Sequence, residues 1–376
     1  MNNVFVAEQK SLLAILSAMQ PICGKRTTLE ATSCILFQVR AKELILKSTD
    51  LEISLQANCV IEENEMLEQC SFLVSGRRIF ELVKELEGLI RFTLTPSQLI
   101  LKAGSVNLAL HIKDTQEFPP FPERIENLMP ISGAFLLGMI NKVAFLIPQN
   151  NANPALNGLY LEVLGSEMKM TTTDGHCLAQ VTASGDFSLD TKHQWLLPRR
   201  AVSEVKKLME SNPQGMDVFV GTCGNQLVFS GDSFNFFTRL LNSPFPKYEA
   251  IVDKNEFMPA KVARSHFIKT LRRSSCLLSG QFIATQFGFE EHGLKVSMQN
   301  KEVGKLEEEV PLEGFQGARL DVKFYAPYLL SGLQVFADEQ LQFYLKNASR
   351  PIMFEAYQDV YRLLYLVMPV AQSHDQ

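Results

Sequence analysis

The sequence predicts an α+β protein made of three tandem repeats, each with two helices packed on antiparallel sheets. Two observations predict it. The chain repeats itself at a fixed interval, and in each copy its apolar residues switch between helical and strand periodicity in the same order. Asp50 recurs as Asp174 after 124 residues and Arg77 as Arg199 after 122, so three copies of about that length fill the 376 residues. The expected repeats are 1–126, 127–250 and 251–376. Their joints fall in "FPPFPERIENLMP" and "FPKYEAIVDKNEFMP", where proline interrupts regular structure.

Each repeat opens on a helix-periodic stretch: "SLLAILSAMQPIC", "AFLLGMINKVAFLIP" and "RSHFIKTLRRSSCLL". An alternating strand follows ("SCILFQV", "LNGLYLEV", "FIATQFGFE"), then a hairpin-like element ("LILKSTDLEISLQ", "MKMTTTDGHCLAQV", "LKVSMQNKEVGKLEEEV"). A second helix comes next, in "VSGRRIFELVKEL", "LPRRAVSEVKKLM" and "DVKFYAPYLLSGLQ". Two strands close each unit. Alternation over these strands marks sheets with one buried face.

Composition bounds the function. Hydrophobic residues make up 46% and charged residues 20%, a globular balance rather than a disordered one. No apolar run approaches the roughly 18–20 residues of a membrane span. The start "MNNVFVAEQK" has neither the basic region nor the apolar core of a signal peptide, so a cytoplasmic location is expected. Seven cysteines without a C-x-x-C pair argue against a disulfide framework and against a zinc site. A net charge of −5 announces no nucleic-acid binder, so any such role rests on local patches.

"TTTDGHCLAQ", Thr171 to Gln180, places Asp174, Gly175, His176 and Cys177 side by side. Asp174 and His176 could be an acid and a base, or metal ligands. "TDG" between two alternating runs is also ordinary hairpin chemistry, because glycine accepts the positive φ of tight turns. The recurrence of the aspartate at position 50 favours the turn. Other catalytic signatures are absent: "CGKRTT" ends like a phosphate loop, but Met19 stands where its first glycine belongs. There is no G-x-S-x-G, H-E-x-x-H or G-x-G-x-x-G, and the six histidines have no ligand spacing. No catalytic residue, cofactor or metal is expected.

The cations are uneven. In "PRRAVSEVKKLME", Arg199 with Lys206 and Arg200 with Lys207 project together, opposite Val202, Val205, Leu208 and Met209. Arg264, Lys269, Arg272 and Arg273 lie off the Phe267–Leu271 face, and Arg77, Arg78 and Lys84 decorate a further helix beside Glu81, Glu85 and Glu87. Any one such helix reads as a plain solvated face. Three at repeated places in an acidic chain suit a phosphate backbone, which is bound without base readout.

Three repeats of this length, with "STDLEI", "LNGLYLE", "TDGHCLA", "FPKY" and a late "YLVMP" in order, make the whole chain resemble the bacterial DNA polymerase III β subunit family, the sliding clamps. The resemblance implies a head-to-tail homodimer forming a six-domain ring, with helices lining the hole and sheets outside. Such a ring encircles duplex DNA without sequence preference and tethers the polymerase III catalytic subunit, without catalysis of its own. A clamp loader complex opens it, and partners carrying a clamp-binding motif dock a short peptide. By this resemblance the peptide pocket includes Leu156, Thr173, Gly175, His176 and Leu178, then Pro246 and Ile251, then Tyr328. Leu366, Met368, Pro369 and Val370 complete it from the last strand. DNA would meet Arg26, Arg77, Arg78, Arg199, Arg200, Lys206, Lys207, Arg264 and Arg272. The dimer seam would join Leu108 and Leu110 of one protomer to Leu277 and Leu278 of the other. Three departures stand out: Cys177 replaces the arginine that commonly follows the histidine, "NNANP" lacks the aromatic residues some members offer to DNA, and a tail "AQSHDQ" runs past the usual end.

Overall fold

The computed structural model describes residues 3–24, 29–66, 68–122, 125–211, 217–279 and 282–370. Among them the helices are α1 (Gln9–Met19), α2 (Gly76–Lys84), α3 (Gly133–Val143), α4 (Arg199–Glu210), α5 (Glu249–Val252), α6 (Arg264–Ser275) and α7 (Ala326–Leu333). All but the one-turn α5 fall where the periodicity places them, two per repeat. Each buries the stripe its spacing predicts: Leu12, Leu16 and Met19 on α1, Ile79 and Val83 on α2, Phe267 and Leu271 on α6, Leu329 and Leu333 on α7.

The helices of a repeat are tied end to end in a recurring way. The first residue of one helix reaches the carbonyls at the end of its mate, where intrahelical partners run out. Gln9 Nε2 donates to the Val83 carbonyl at 2.9 Å, Arg199 Nη1 to Ile147 at 2.6 Å, and Arg264 Nε to Phe336 at 2.9 Å. The backbone N–H of the same three residues donates to Gly88, Asn157 and Glu339. Two of the three clasps are cations at a helix C-terminal end, the favourable sign for the helix dipole.

The chain forms two compact units, Met1–Leu137 with Ser203–Leu240, and Gly138–Val202 with Leu241–Gln376. In the first, the described strands make one thirteen-stranded antiparallel sheet. Strands of the first and second repeats join in it where Phe234–Thr238 pairs with Ile53–Ala57. In the second unit a six-stranded sheet joins the second and third repeats, pairing Cys177–Ala183 with Tyr361–Val367. A four-stranded sheet of the third repeat completes this unit. Pro130 and Pro259 lie inside strands, Glu126–Ser132 and Met258–Ala263. Both are edge strands, where a missing N–H costs no ladder bond.

The hairpin of each repeat turns on one side chain. Asp50 Oδ1 accepts from the N–H of Glu52 (3.0 Å) and Ile53 (2.8 Å), and Asp174 Oδ1 from His176 (2.8 Å) and Cys177 (2.7 Å). Asn300 Oδ1 does the same for Glu302 at 2.9 Å and Val303 at 3.4 Å. The preceding threonine helps in two of the turns: Thr49 Oγ1 donates to the Ile53 carbonyl and Thr173 Oγ1 to that of Cys177. Positive φ falls on Leu51 (77°) and Gly175 (96°). Asp174 is therefore a turn residue, one of a set of three.

Behind this hairpin, Tyr365 is fully buried with its ring against Gly332 of α7, where any Cβ would run into the ring. Its hydroxyl donates to the Tyr328 carbonyl at 2.6 Å, fixing α7 to the strand Tyr361–Val367.

Candidate functional site

The six-stranded sheet carries a transverse apolar row. Leu178 stands opposite Leu366, Leu366 opposite Met353, and Met353 opposite Tyr344, so these side chains share one face. Leu178, Met353, Leu364, Leu366 and Tyr248 form one buried cluster, with Phe245, Ile251 and Met368 packed against it. Above the Leu178–Leu366 part of the row lies a cavity of about 300 Å³.

Three loops wall it. The Asp174 turn contributes Thr173, Gly175 and His176; the ladder continues past it, Met368 N–H donating to the His176 carbonyl at 2.8 Å, which pins Met368 to the rim. The segment Phe245–Ile251 forms the facing wall. Leu156 closes the cavity on a 3-10 turn, Pro154–Leu156, whose N-terminus is capped by Asn153 Oδ1. That loop is held by its asparagines: Asn157 Oδ1 accepts from Asn151 N–H at 2.7 Å, and Asn157 Nδ2 donates to the Asn151 carbonyl at 2.9 Å. The polar "NNANP" stretch is thus a capping device.

Nine of the twelve sequence-derived pocket residues line this cavity: Leu156, Thr173, Gly175, His176, Leu178, Pro246, Ile251, Leu366 and Met368. Tyr328, Pro369 and Val370 do not. The Tyr328 ring instead stacks on His176, centroids 5.4 Å apart and planes 17° apart, so it supports a wall residue. Val370 turns aside to donate its N–H to the Lys323 carbonyl. Sequence reasoning missed Asn153, Cys177, Phe245, Lys247 and Tyr248, although three of these sit in the quoted "FPKY" segment. Leu156 and Leu366 are buried and yet form cavity floor, so being core and lining a site are compatible here. Cys177 is 1% exposed; burial and the nearby Asp174 push its thiol well up, so it is neutral and brings no charge to the rim. The exposed cation on the cavity's edge is Lys247.

Two buried carboxylates anchor the sheet around the cavity. Glu162 accepts from Tyr248 Oη at 2.6 Å, Lys192 Nζ at 2.9 Å and Gln194 Nε2 at 3.0 Å. Glu355 accepts from Lys254 Nζ at 2.6 Å and Arg362 Nε at 2.8 Å. Burial would raise both carboxyls; the donors outweigh it and hold both below the usual carboxylate range.

The cationic helices differ from their sequence-level picture. Arg199 and Arg264 are half-buried and spend a guanidinium N–H on the helix clasps. Arg77 and Arg78 share Glu81, at 2.7 and 3.2 Å. Lys206 lies 3.6 Å from Glu210 and Lys207 2.9 Å from Glu204. Arg200 and Arg272 are exposed, and Arg26 lies outside the described residues, as does the tail 371–376. The pairs with Glu81 and Glu210 are exposed, contribute little and exchange readily for phosphates, whereas Glu204 is buried and Lys207 is its countercharge.

Leu108 and Leu110 lie half-buried on Val106–Lys113, a strand paired along residues 106–111 on one side only, with Gln98–Ala103. Leu277 and Leu278 are half-buried just after α6, and the Leu277 carbonyl is held by Asn300 Nδ2 at 2.7 Å. Gly304–Pro311 nearby in sequence is the edge of the four-stranded sheet and carries Glu307, Glu308 and Glu309.

Among the described residues no three His, Cys, Asp or Glu side chains group as metal ligands, and no helix is long and apolar enough to cross a membrane. Asp174 is engaged with the backbone of its own turn and His176 stacks on Tyr328, so they form no acid–base pair. A repeat-built fold with an adaptable apolar cavity walled by loops is suited to binding an apolar group.

Comparison with known proteins narrows this class. Models of the N-terminal, central and C-terminal domains of the DNA polymerase III beta subunit match residues 3–122, 131–247 and 251–371. The chain belongs to this family, the sliding clamps, non-catalytic processivity factors of the replicative polymerase. The beta sliding clamp of Pseudomonas aeruginosa is 27% identical over 370 residues, covering 97% of this chain and 99% of the relative. That of Bacillus subtilis is 23% identical over 376 residues. The crystal structure of the Pseudomonas aeruginosa subunit superposes with a TM-score of 0.89 at 26% identity, covering 98% of this chain and 99% of the other. A Pseudomonas aeruginosa sliding clamp bound to griselimycin gives the same TM-score and identity, over 99% and 100%.

Acid should loosen the unit around the cavity. Glu162 and Glu355 have folded pKa values below their unfolded ones, so the stability they contribute is present above about pH 4.3, the unfolded glutamate value. It is lost as pH falls through the depressed folded values. Glu162→Gln and Glu355→Gln should each flatten the melting temperature profile below about pH 5 relative to the unaltered chain, read by calorimetry.

Proposed function

We propose that the cavity over Leu178 and Leu366 is where partners of this clamp dock: the polymerase III catalytic subunit, the clamp loader complex and other proteins carrying a short apolar clamp-binding motif. One observation carries this reading: a buried apolar row roofed by an adaptable, half-exposed Met368 and bordered by His176 and Lys247. Methionine and leucine repack around different side chains, which suits one site serving several partners. The working form is a homodimeric ring around duplex DNA in the cytoplasm, built from repeats 1–126, 127–250 and 251–376.

Met368→Ala should weaken a peptide from the polymerase catalytic subunit about thirtyfold, from about 2 kcal/mol for a truncated anchor and tenfold per about 1.4 kcal/mol. His176→Ala should cost less, since a rim group is solvated in both states. Asp174→Asn should cost little, because asparagine makes the same turn, as Asn300 does. Griselimycin, with which a relative was solved, is a second probe in the same titration. Equal affinity across all four proteins would remove the pocket assignment.

DNA contact rests on the exposed cations of α2, α4 and α6, with Arg26 as a further candidate. Replacing Arg200, Lys206 and Lys207 by alanine should weaken binding alike on any duplex and flatten the salt slope by about 0.9 per lost phosphate contact. A loss confined to one DNA sequence contradicts it. Arg199 and Arg264 belong to a different class: their removal should lower the melting temperature as well, through the lost clasps.

The seam reading joins the open edge 106–111 of one protomer to the acidic edge Gly304–Pro311 of another, with Leu108 and Leu110 against Leu277 and Leu278. Among the described residues, each edge presents unpaired backbone N–H and C=O groups along its open side, the requirement for pairing across a seam. Leu277→Asp with Leu278→Asp should give a folded monomer by sedimentation; a persisting dimer places the seam elsewhere.

A further inference from the structure

We propose that Glu162, which does not line the cavity, is the positioning residue of the docking site: it holds the Tyr248 ring as a fixed apolar wall through the hydroxyl of that ring. The inference rests on the docking reading above. Tyr248 is 5% exposed and lines the cavity, with its hydroxyl engaged 2.6 Å from Glu162 Oε2. Tyr248 is also where the facing wall is assembled, through both its ring and its backbone carbonyl. Phe245 packs edge-on against it (6.0 Å, 79°), and the N–H groups of Ile251 and Val252 both donate to the Tyr248 carbonyl. Phe245 in turn stacks on Tyr160, 4.7 Å between centroids, which keeps its ring against that wall. One hydroxyl–carboxylate bond thus sets the position of several lining residues.

The carboxylate is itself held from two further directions. Lys192 supplies its countercharge and Gln194 a third hydrogen bond, both from the strand Cys177–Pro198 that also carries Leu178. Thr171 Oγ1 lies 3.5 Å from the Tyr248 hydroxyl and receives Gln180 Nε2 at 3.0 Å, extending the network under the cavity floor. With its hydroxyl committed, Tyr248 presents only ring atoms to an occupant. The part of a partner that meets this wall is accordingly an aliphatic or aromatic side chain, and not a group in need of a hydrogen bond.

The test uses the full-length dimer in four forms: unaltered, Glu162→Gln, Tyr248→Phe and the double variant. Each is titrated with the polymerase peptide and with griselimycin at low temperature, where all are folded, and melted separately. Each single change should weaken binding about five- to tenfold, and the double should be no weaker than the weaker single, because both act on one bond, Glu162→Gln by removing its charge and Tyr248→Phe by removing its donor. A merely structural role would lower the melting temperature and leave the dissociation constant of the folded protein unchanged. Affinities within twofold of the unaltered chain, or losses that multiply in the double variant, overturn the proposal. Met368→Ala, run beside them, separates the two readings. If it weakens binding while Glu162→Gln and Tyr248→Phe do not, only the positioning role falls; if it too has no effect, the docking site falls and the positioning role with it.

Discussion

The pairing of Cys177–Ala183 with Tyr361–Val367 is the constraint on which the candidate site depends. It brings strands of two repeats into one sheet and sets Leu178 opposite Leu366. Because side chains alternate, a slip of one residue would turn the entire apolar row to the other face. The register is secured at both ends of the row. On one side the Asp174 turn fixes where the second strand begins, through two N–H bonds to a single carboxylate oxygen. On the other, the buried Tyr365 reaches through the gap left by Gly332 to bond the Tyr328 carbonyl. Met368 then finds its place at the rim as the residue after the last rung of a fixed ladder.

The repeats share this machinery without sharing the cavity. In the first repeat the Asp50 turn is built in the same way, and Phe234–Thr238 pairs with the strand that follows it. There Phe121, from a stretch resembling that of Phe245, packs edge-on against Phe237 at 5.5 Å, with Lys47 Nζ 5.1 Å from its ring. Phe245 instead lies flat on Tyr160 and leaves the row Leu178–Leu366 accessible. Tyr248 and its bond to Glu162 complete the difference. Fold and turn belong to the repeat, while the cavity belongs to one junction of it.

This division explains what could be read from the sequence. Helix stripes, strand alternation and the turn at Asp174 are local, so periodicity and spacing reveal them, and the repeat interval reveals their order. The clasps were hidden: nothing local distinguishes Arg199, which bonds Ile147, from Arg200 beside it, which is exposed. Arg199 and Arg264, placed by periodicity on the cationic faces, each also hold a helix end. Glu162 was hidden for a related reason, since in "LNGLYLE" it reads as an ordinary exposed position of an alternating strand, and only the tertiary approach of Tyr248, Lys192 and Gln194 makes it buried. Nine of the residues carried by contiguous motifs line the cavity; Tyr328 stacks on His176 beside it, because a motif gives a neighbourhood and not a direction.

Enclosure of duplex DNA, with helices meeting phosphates without reading bases, is the mode of action proposed for this clamp. The most direct measurement loads it with its clamp loader and ATP onto nicked circular duplex DNA and follows retention by gel filtration at raised salt. Enclosure predicts that the clamp stays with the circle at a salt concentration that abolishes simple electrostatic binding, and is released when the circle is cut to a linear form. Equal loss from circular and linear DNA would contradict it.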